Sequence, residues 1–482
     1  MKQQAALTQE NIALDRISAV PVYLQLYQRF REALAQGLLL PGQRVPSIRS
    51  LASELKLARG TVEAAYDLLC GEGYFVARGQ AGTIVAPLLK VQSLNQQAQP
   101  VDAVSAVSSM PNLPLPAPLP MQPGLPALDA FPRKLWSRLG SRLLKSAQAG
   151  EMNYPDALGL MSLRKALAGY LLVARGVQCR PEQIIITSGY RACLQLLSYA
   201  YLKPLDQVWM ENPAYFAARD LMLAQGQEVI GLAVDEQGLQ VELGLQLAPK
   251  AKMAIVTPSH HSPLGITLSL PRRQQLLQWA SAQQSWIVED DYDGEFHYLT
   301  RPLPALKHLD NDQRVFYTGT FSKTLIPSLR LAYMVVPESQ LALISGLCKT
   351  FDNSTPWLEQ ALVAQLLSEG HFTRHLKKMR NLYQQRRLWL SAALQAQFGH
   401  HASLTVQAGG LHLVLELQQQ QDRELALHLN QQGLAVHALS AWATGPILRQ
   451  GLIMGYTNIR SAAEAQALAQ RLYQACEIYL RD

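Results

Sequence analysis

A chain of 482 residues, 48% of them apolar, is long enough for about three units of about 150 residues and can build a large core. Its 43 Lys and Arg outweigh 36 Asp and Glu, a net charge of +7 that permits contact with nucleic acid without requiring it. The five cysteines (70, 179, 193, 348, 476) are scattered with no C-x-x-C pair, which fits reduced thiols in a cytoplasmic protein; MKQQAALTQEN has no apolar core, so no signal peptide is expected, and no apolar run approaches the roughly 18 residues of a membrane span.

The first periodic stretch spans about 20 to 36, with Tyr23, Leu26, Tyr27, Phe30 and Leu34 on one helical face and Gly37 at its end. A turn through Arg44 closes on Ser47 as an N-cap. A second helix follows, with Ile48, Leu51, Ala52 and Leu55 at i, i+3, i+4 and i+7. After a short turn at 56–58, a third helix starts near Arg59 and turns Val62, Ala65, Tyr66 and Leu69 inward. Two short helices joined in this way form a helix-turn-helix, whose second helix enters a major groove. The runs 73–76 and 83–85 around Arg78–Gly82 read as a hairpin wing.

The polar side of this unit presents Arg44, Ser47, Arg49, Arg59, Thr61 and Arg78, side chains suited to phosphates and base edges. Between 16 and 86 there are eight Arg or Lys (16, 29, 31, 44, 49, 56, 59, 78) against five acids. The strings VYLQL (from Val22), LPGQRVPSIRSLA (from Leu40), TVEAAY (from Thr61) and GTIV (from Gly82) resemble the winged-helix domain of GntR-type repressors. One departure is Ala58, where that family usually has a serine before the recognition-helix arginine. The resemblance implies a DNA-binding domain over 16–87 and double-stranded DNA as partner.

Residues 88–126 change character. Lys90 to Met110 is mostly Gln, Ser, Ala and Val, and Pro111 to Pro126 is proline-rich. Such a segment reads as a tether that buries no core.

From about 127 to 482, helical patterns alternate with the β-type runs 183–187, 207–210, 252–257, 286–289 and 315–318. That alternation predicts an α/β domain with a mainly parallel sheet and ligands at the carboxyl ends of its strands. Candidate site residues fall at those ends. Ser188, Gly189 and Tyr190 open a helix, where backbone N–H groups can cradle a phosphate or simply cap the helix. Tyr215 can stack on a ring or cover a loop. His260 and His261 are adjacent in extended backbone, so they point apart and do not share a metal. In Glu289–Glu295 the alternating acids imitate a calcium loop, but its twelfth position is Thr300 where a bidentate glutamate is needed, so no metal is expected. Asp290 is instead placed to keep a pyridine nitrogen protonated, with Tyr292 near the ring oxygen, while Asp291, Asp293 and Glu295 solvate or cap.

The stretch 318–330 centres on Lys323. A lysine at a strand mouth can be desolvated, lose its proton and form an imine with an aldehyde. Thr320, Ser322 and Arg330 can donate to a phosphate on that aldehyde, and pyridoxal phosphate carries both groups.

EDDYDGEFHY (289–298), TGTFSKTLIPSLRLAYMVVP (318–337), NYPDALGLMSLRKALAGYL (153–171) and TPSHHSPLG (257–265) resemble fold-type I aminotransferases, and with the head they resemble MocR/GabR-type regulators. The resemblance implies a winged helix-turn-helix joined to a pyridoxal-phosphate transferase fold with a smaller C-terminal α+β part. It implies Lys323 as the imine lysine, Asp290 on the pyridinium and Tyr292 on the ring oxygen. Ser188, Gly189, Tyr190, Thr320, Ser322 and Arg330 would surround the phosphate. It further implies a head-to-tail homodimer. Two departures stand out: Ser262 replaces an asparagine common in aminotransferases, and Ala441 replaces a carboxylate-binding arginine, leaving Arg219 and Arg449 as candidates. The function implied is transcription regulation by pyridoxal phosphate, alone or with an amine or amino acid. The alternative is an active aminotransferase with an appended DNA-binding head.

Overall fold

The computed structural model describes residues 14, 15, 18, 20–87, 118–298, 303–406, 409–417 and 421–480. Arg16 and most of the tether lie outside them. The described residues form two compact units.

The small unit contains α1 (Val22–Ala35), α2 (Ile48–Glu54), α3 (Arg59–Gly71), β1 (Phe75–Ala77) and β2 (Thr83–Val85). Leu26, Tyr27, Phe30 and Leu34 are buried on α1, and Val62, Ala65, Tyr66 and Leu69 on α3, as their spacing predicts; Tyr23 is only half-buried. The Ser47 hydroxyl caps α2 by accepting from Ser50 N at 3.1 Å. Ala58 starts α3 with no side-chain cap. Phe30, Tyr66 and Phe75 meet edge to face at 5.3–5.6 Å between ring centres, which ties α1, α3 and the wing together. The Tyr66 hydroxyl donates to Pro46 O at 2.8 Å and fixes the turn before α2.

The large unit opens with α4 (Arg133–Ser146) and α5 (Met161–Arg175). It continues through β3 (Ile184–Thr187), α6 (Tyr190–Tyr201), β4 (Gln207–Asn212), α7 (Phe216–Ala224), β5 (Glu228–Asp235), β6 (Gly238–Leu239) and α8 (Val241–Leu247). Then follow β7 (Met253–Val256), α9 (Leu270–Gln283), β8 (Trp286–Asp291), β9 (Val315–Thr320), β10 (Ala332–Val335), α10 (Leu341–Thr350), α11 (Trp357–Ser368) and α12 (His371–Phe398). β11 (Ala402–Thr405), β12 (His412–Leu417), α13 (Asp422–Gln431), β13 (His437–Ala438), β14 (Gly451–Gly455) and α14 (Ala462–Leu480) complete it.

The large sheet runs β3-β10-β9-β8-β7-β4-β5-β6. Pairings from β9 through β8, β7 and β4 to β5 are parallel. β10 is antiparallel to both β3 and β9, and β6 to β5, so the mainly parallel sheet carries an antiparallel end. Both faces are covered, which explains the unbroken apolar runs of its strands. Ile184 and Ile186 face one core, whereas Ile185, Met210, Ile255 and Phe316 face another. The C-terminal strands form an antiparallel sheet in the order β11-β12-β14-β13, packed with α12 and α14.

The end of the proline-rich stretch departs from the expectation that it buries no core. Met121 is fully buried, and its carbonyl accepts from Gly455 N at 2.8 Å. Leu125 O accepts from Thr457 Oγ1 at 2.5 Å and Pro126 O from Asn458 Nδ2 at 3.2 Å. A segment without regular structure can be buried when backbone and side-chain donors satisfy its carbonyls in this way. None of the five cysteines is disulfide-bonded, and no helix among the described residues is long and apolar enough to cross a membrane.

Candidate functional site

Three chain segments converge at the carboxyl end of the sheet. β8 delivers Asp290 and, just beyond, Tyr292. The parallel neighbour β9 places Thr318 opposite Asp290 and leads through Thr320 to Lys323. β3 ends at Thr187 and gives way to α6, whose N-cap Gly189 has φ +131. A Cβ at Gly189 would lie 2.9 Å from Arg330 Nη2, so the guanidinium rests directly against the start of this helix. Arg330 itself is held in the left-handed region at φ 51.

These elements enclose a cavity of about 350 Å³. Its walls include Gly189, Tyr190, Tyr215, Asp290, Tyr292, Thr320, Ser322, Lys323 and Arg330, nine of the ten residues singled out from sequence for the cofactor. Ser188 is exposed and does not line it. The Tyr215 ring lies 6.5 Å from that of Tyr190.

Burial governs the chemistry of the cavity. It lowers the affinity of the Lys323 amine for a proton, against the pull of Asp293 and Asp290. The Lys323 Nζ donates to Gly124 O at 2.6 Å. Burial, reinforced by the charge of Asp291, pushes the Asp290 carboxyl well above the usual range, while a hydrogen bond with Tyr190 opposes that shift. The Tyr292 hydroxyl lies 3.1 Å from His260 Nδ1 and also bonds the Ser262 side chain. Ser262 thus reaches Tyr292 from the loop after β7.

These residues fit pyridoxal phosphate. Gly189 lets the Arg330 guanidinium rest against the N-terminus of α6, and the two together suit a phosphate. Asp290 is a buried carboxyl short of a cation, which a pyridinium supplies. Lys323 is a desolvated amine within the same cavity. When bound, the group would supply an electrophilic aldehyde and an electron-withdrawing ring.

Asp291 and Asp293 are buried and do not solvate, contrary to expectation, while Glu295 is half-buried. Asp291 pairs with buried Arg175 at 2.6 Å and accepts from the Tyr317 hydroxyl at 2.6 Å. Asp293 sits 3.1 Å from His260 Nδ1, and Glu295 accepts from the Tyr170 hydroxyl at 3.1 Å. The cation that makes this burial tolerable is Arg175, 116 residues earlier in the chain. His261 turns away to Pro213 O at 3.0 Å, so the two histidines serve different partners. Neither carboxylate-binding candidate reaches the cavity. Arg219 donates to Ala441 O at 3.2 Å and to Ala443 O at 2.6 Å, and Arg449 pairs with Glu416.

Sequence reasoning missed Gly124, Leu125, Phe216, Leu411, His412, His437 and Ile453 as wall residues. They arrive from the tether's end, α7 and the C-terminal sheet, and no local motif marks them.

In the small unit, Arg44, Ser47, Arg49, Arg59 and Arg78 are exposed and Thr61 is half-buried. Arg49 and Arg59 lie in the first turns of α2 and α3. Arg44 packs its guanidinium over Gly82 in the wing.

Comparison with known proteins agrees with this division. Residues 22–85 match the family of bacterial regulatory proteins of the gntR type, and residues 130–481 match aminotransferase class I and II. The chain is similar to the probable rhizopine catabolism regulatory protein MocR of Rhizobium meliloti, 34% identical over 470 residues, covering 93% of this chain and 92% of that protein. It is also similar to the pyridoxine biosynthesis transcriptional regulator PdxR of Corynebacterium glutamicum, 32% identical over 450 residues, covering 92% and 94%. The large unit is similar to kynurenine aminotransferase of Pyrococcus horikoshii, solved with PMP, with a TM-score of 0.69 at 25% identity over 75% of this chain and 91% of that one. A winged head and an aminotransferase fold in one chain, matched end to end by these relatives, establish that it belongs to the MocR-type transcriptional regulators of the GntR family, with a pyridoxal-phosphate domain of aminotransferase class I and II.

Proposed function

We propose that the cavity is a sensor: pyridoxal phosphate, alone or with an amine or amino acid, changes how the head holds a double-stranded operator. In this reading Lys323 captures the aldehyde and Asp290 holds the ring nitrogen protonated. Tyr292 donates to the ring oxygen and Tyr215 covers the ring. Gly189, Tyr190, Thr320, Ser322 and Arg330 hold the phosphate, with Ser188 at the rim. Arg44, Ser47, Arg49, Arg59, Thr61 and Arg78 contact DNA. The protein works in the cytoplasm as a head-to-tail homodimer, and residues 16–87, 88–126 and 127–482 act as head, tether and sensor. A relative whose name ties it to pyridoxine biosynthesis supports the cofactor as signal.

The observation that carries this reading is the pairing of a desolvated Lys323 with a buried Asp290 in one cavity, in a chain that also carries an arginine-bearing head. A ligand can shift such a protein only if it binds two arrangements unequally. Purified protein mixed with pyridoxal phosphate should absorb in the visible, and borohydride should fix the cofactor on Lys323. Operator affinity measured with and without cofactor should then differ. Equal affinities would overturn the sensor. The same Lys323 and Asp290 favour a second reading, an active aminotransferase with a DNA-binding head. Steady-state transamination over a panel of amines separates the two, since fast turnover supports the enzyme.

A further inference from the structure

The charges around the cavity define what it accepts beside the cofactor. Among the described residues lining it, Lys323 and Arg330 are the only lysine and arginine. Lys323 is assigned to the aldehyde and Arg330 to the phosphate. Two imidazoles also face the cavity, and burial disfavours the charged form of both. His412 is lowered to about 4, with its Nε2 2.7 Å from Pro263 O, and His437 is also lowered by burial.

The neighbouring arginines are engaged elsewhere. Arg219 is held by the carbonyls of 441 and 443, Arg423 by Ser440 at 2.9 and 3.1 Å, and Arg449 by Glu416. Arg191 is exposed on the first turn of α6 and does not line the cavity. Another part of the lining is aromatic and aliphatic. Phe216 and Trp442 meet edge to face at 5.3 Å, with Leu125, Leu411 and Ile453 completing it.

A carboxylate brought against this wall would shed water without gaining a cationic partner. A phenyl or branched alkyl group would lose nothing there and bury apolar surface. Because an aldehyde selects primary amines, we infer that the second ligand is a primary amine bearing an aromatic or aliphatic substituent and no carboxylate. This rests on the cavity being a pyridoxal-phosphate site.

The test uses the full chain loaded with pyridoxal phosphate and measures binding by calorimetry and by absorption. 2-Phenylethylamine is compared with L-phenylalanine and 3-methylbutylamine with L-leucine, and 4-aminobutyrate carries its carboxylate at the far end. Each simple amine should bind at least about tenfold more tightly than its carboxylated counterpart and than 4-aminobutyrate, with a negative heat-capacity change. Equal or tighter binding of the carboxylated ligands, or no binding of the amines, overturns the inference while leaving the cofactor site intact. A protein that takes up no cofactor and gives no borohydride product on Lys323 fails at the earlier reading. Phe216→Arg supplies the absent cation and should narrow or reverse the preference. A cofactor-loaded Phe216→Arg protein with the original preference counts against the wall, and the comparison in the unaltered chain stands if the variant does not fold.

Discussion

The two units use charge in opposite ways. In the head, Arg49, Arg59 and Arg78 are exposed and, among the described residues, their side chains make no hydrogen bond or ion pair. In the large unit, Asp290, Asp291 and Asp293 are buried and Lys323 is half-buried, and their proton affinities or pairings depend on burial and on neighbouring charges. An exposed arginine keeps its charge and trades counterions with a polyanion, so its contribution depends on salt. Burial makes a lysine amine easier to deprotonate, which favours its acting as a nucleophile. The difference teaches that one chain can present mobile charge to DNA and reactive groups to a small molecule simply by how deeply each side chain is placed.

The sharpest way to break this contrast is Lys323→Ala. It should abolish the visible absorption of the cofactor-loaded protein and the borohydride product, while DNA binding by the cofactor-free protein stays intact. Retention of the absorption would remove the role given to this amine. Asp290→Asn comes next. Loss of a charge-assisted bond to the ring nitrogen should weaken cofactor binding about tenfold to a hundredfold, read by titration of the visible band. In the head, Arg49→Ala or Arg59→Ala should weaken operator binding and, for a lost phosphate contact, reduce the slope of log affinity against log salt by about 0.9. An unchanged slope and affinity would reassign that face.

A smaller effect tests burial itself. Burial lowers His261 to about 3 and His297 and His412 to about 4. Below about 6.5 the unfolded chain takes up these protons and the folded chain does not. Stability is therefore lost as pH falls from about 6.5, and the loss levels off below 3 to 4. His412→Gln should make denaturation midpoints less steep in acid by the share of one proton. An identical pH profile would show that residue 412 titrates normally.

How much of this was legible depended on whether the information was local. α3 could be read because Val62, Ala65, Tyr66 and Leu69 repeat at helical spacing and all four are buried. Asp290 and Lys323 could be singled out because one lies near the end of a short strand and the other just beyond one, and the parallel β8–β9 pairing brings them to one cavity. β10 was hidden, since its four residues are all buried and its antiparallel insertion between β3 and β9 follows from topology rather than pattern. The solvating role given to Asp291 failed because its partner Arg175 looks like an ordinary helix-end arginine. Phe216, His437 and Ile453 were invisible as a wall because they meet only once the C-terminal sheet is in place.

Gly124 brings one further consequence. It sits at φ +76, and a methyl group there would come within 2.9 Å of Lys323 Nζ. The backbone that leads in from the DNA-reading half of the chain thus supplies the oxygen on which the reactive amine rests. Loss of that hydrogen bond would leave the Gly124 carbonyl without its donor, so residue 124 is tied to the state of Lys323 by a single contact.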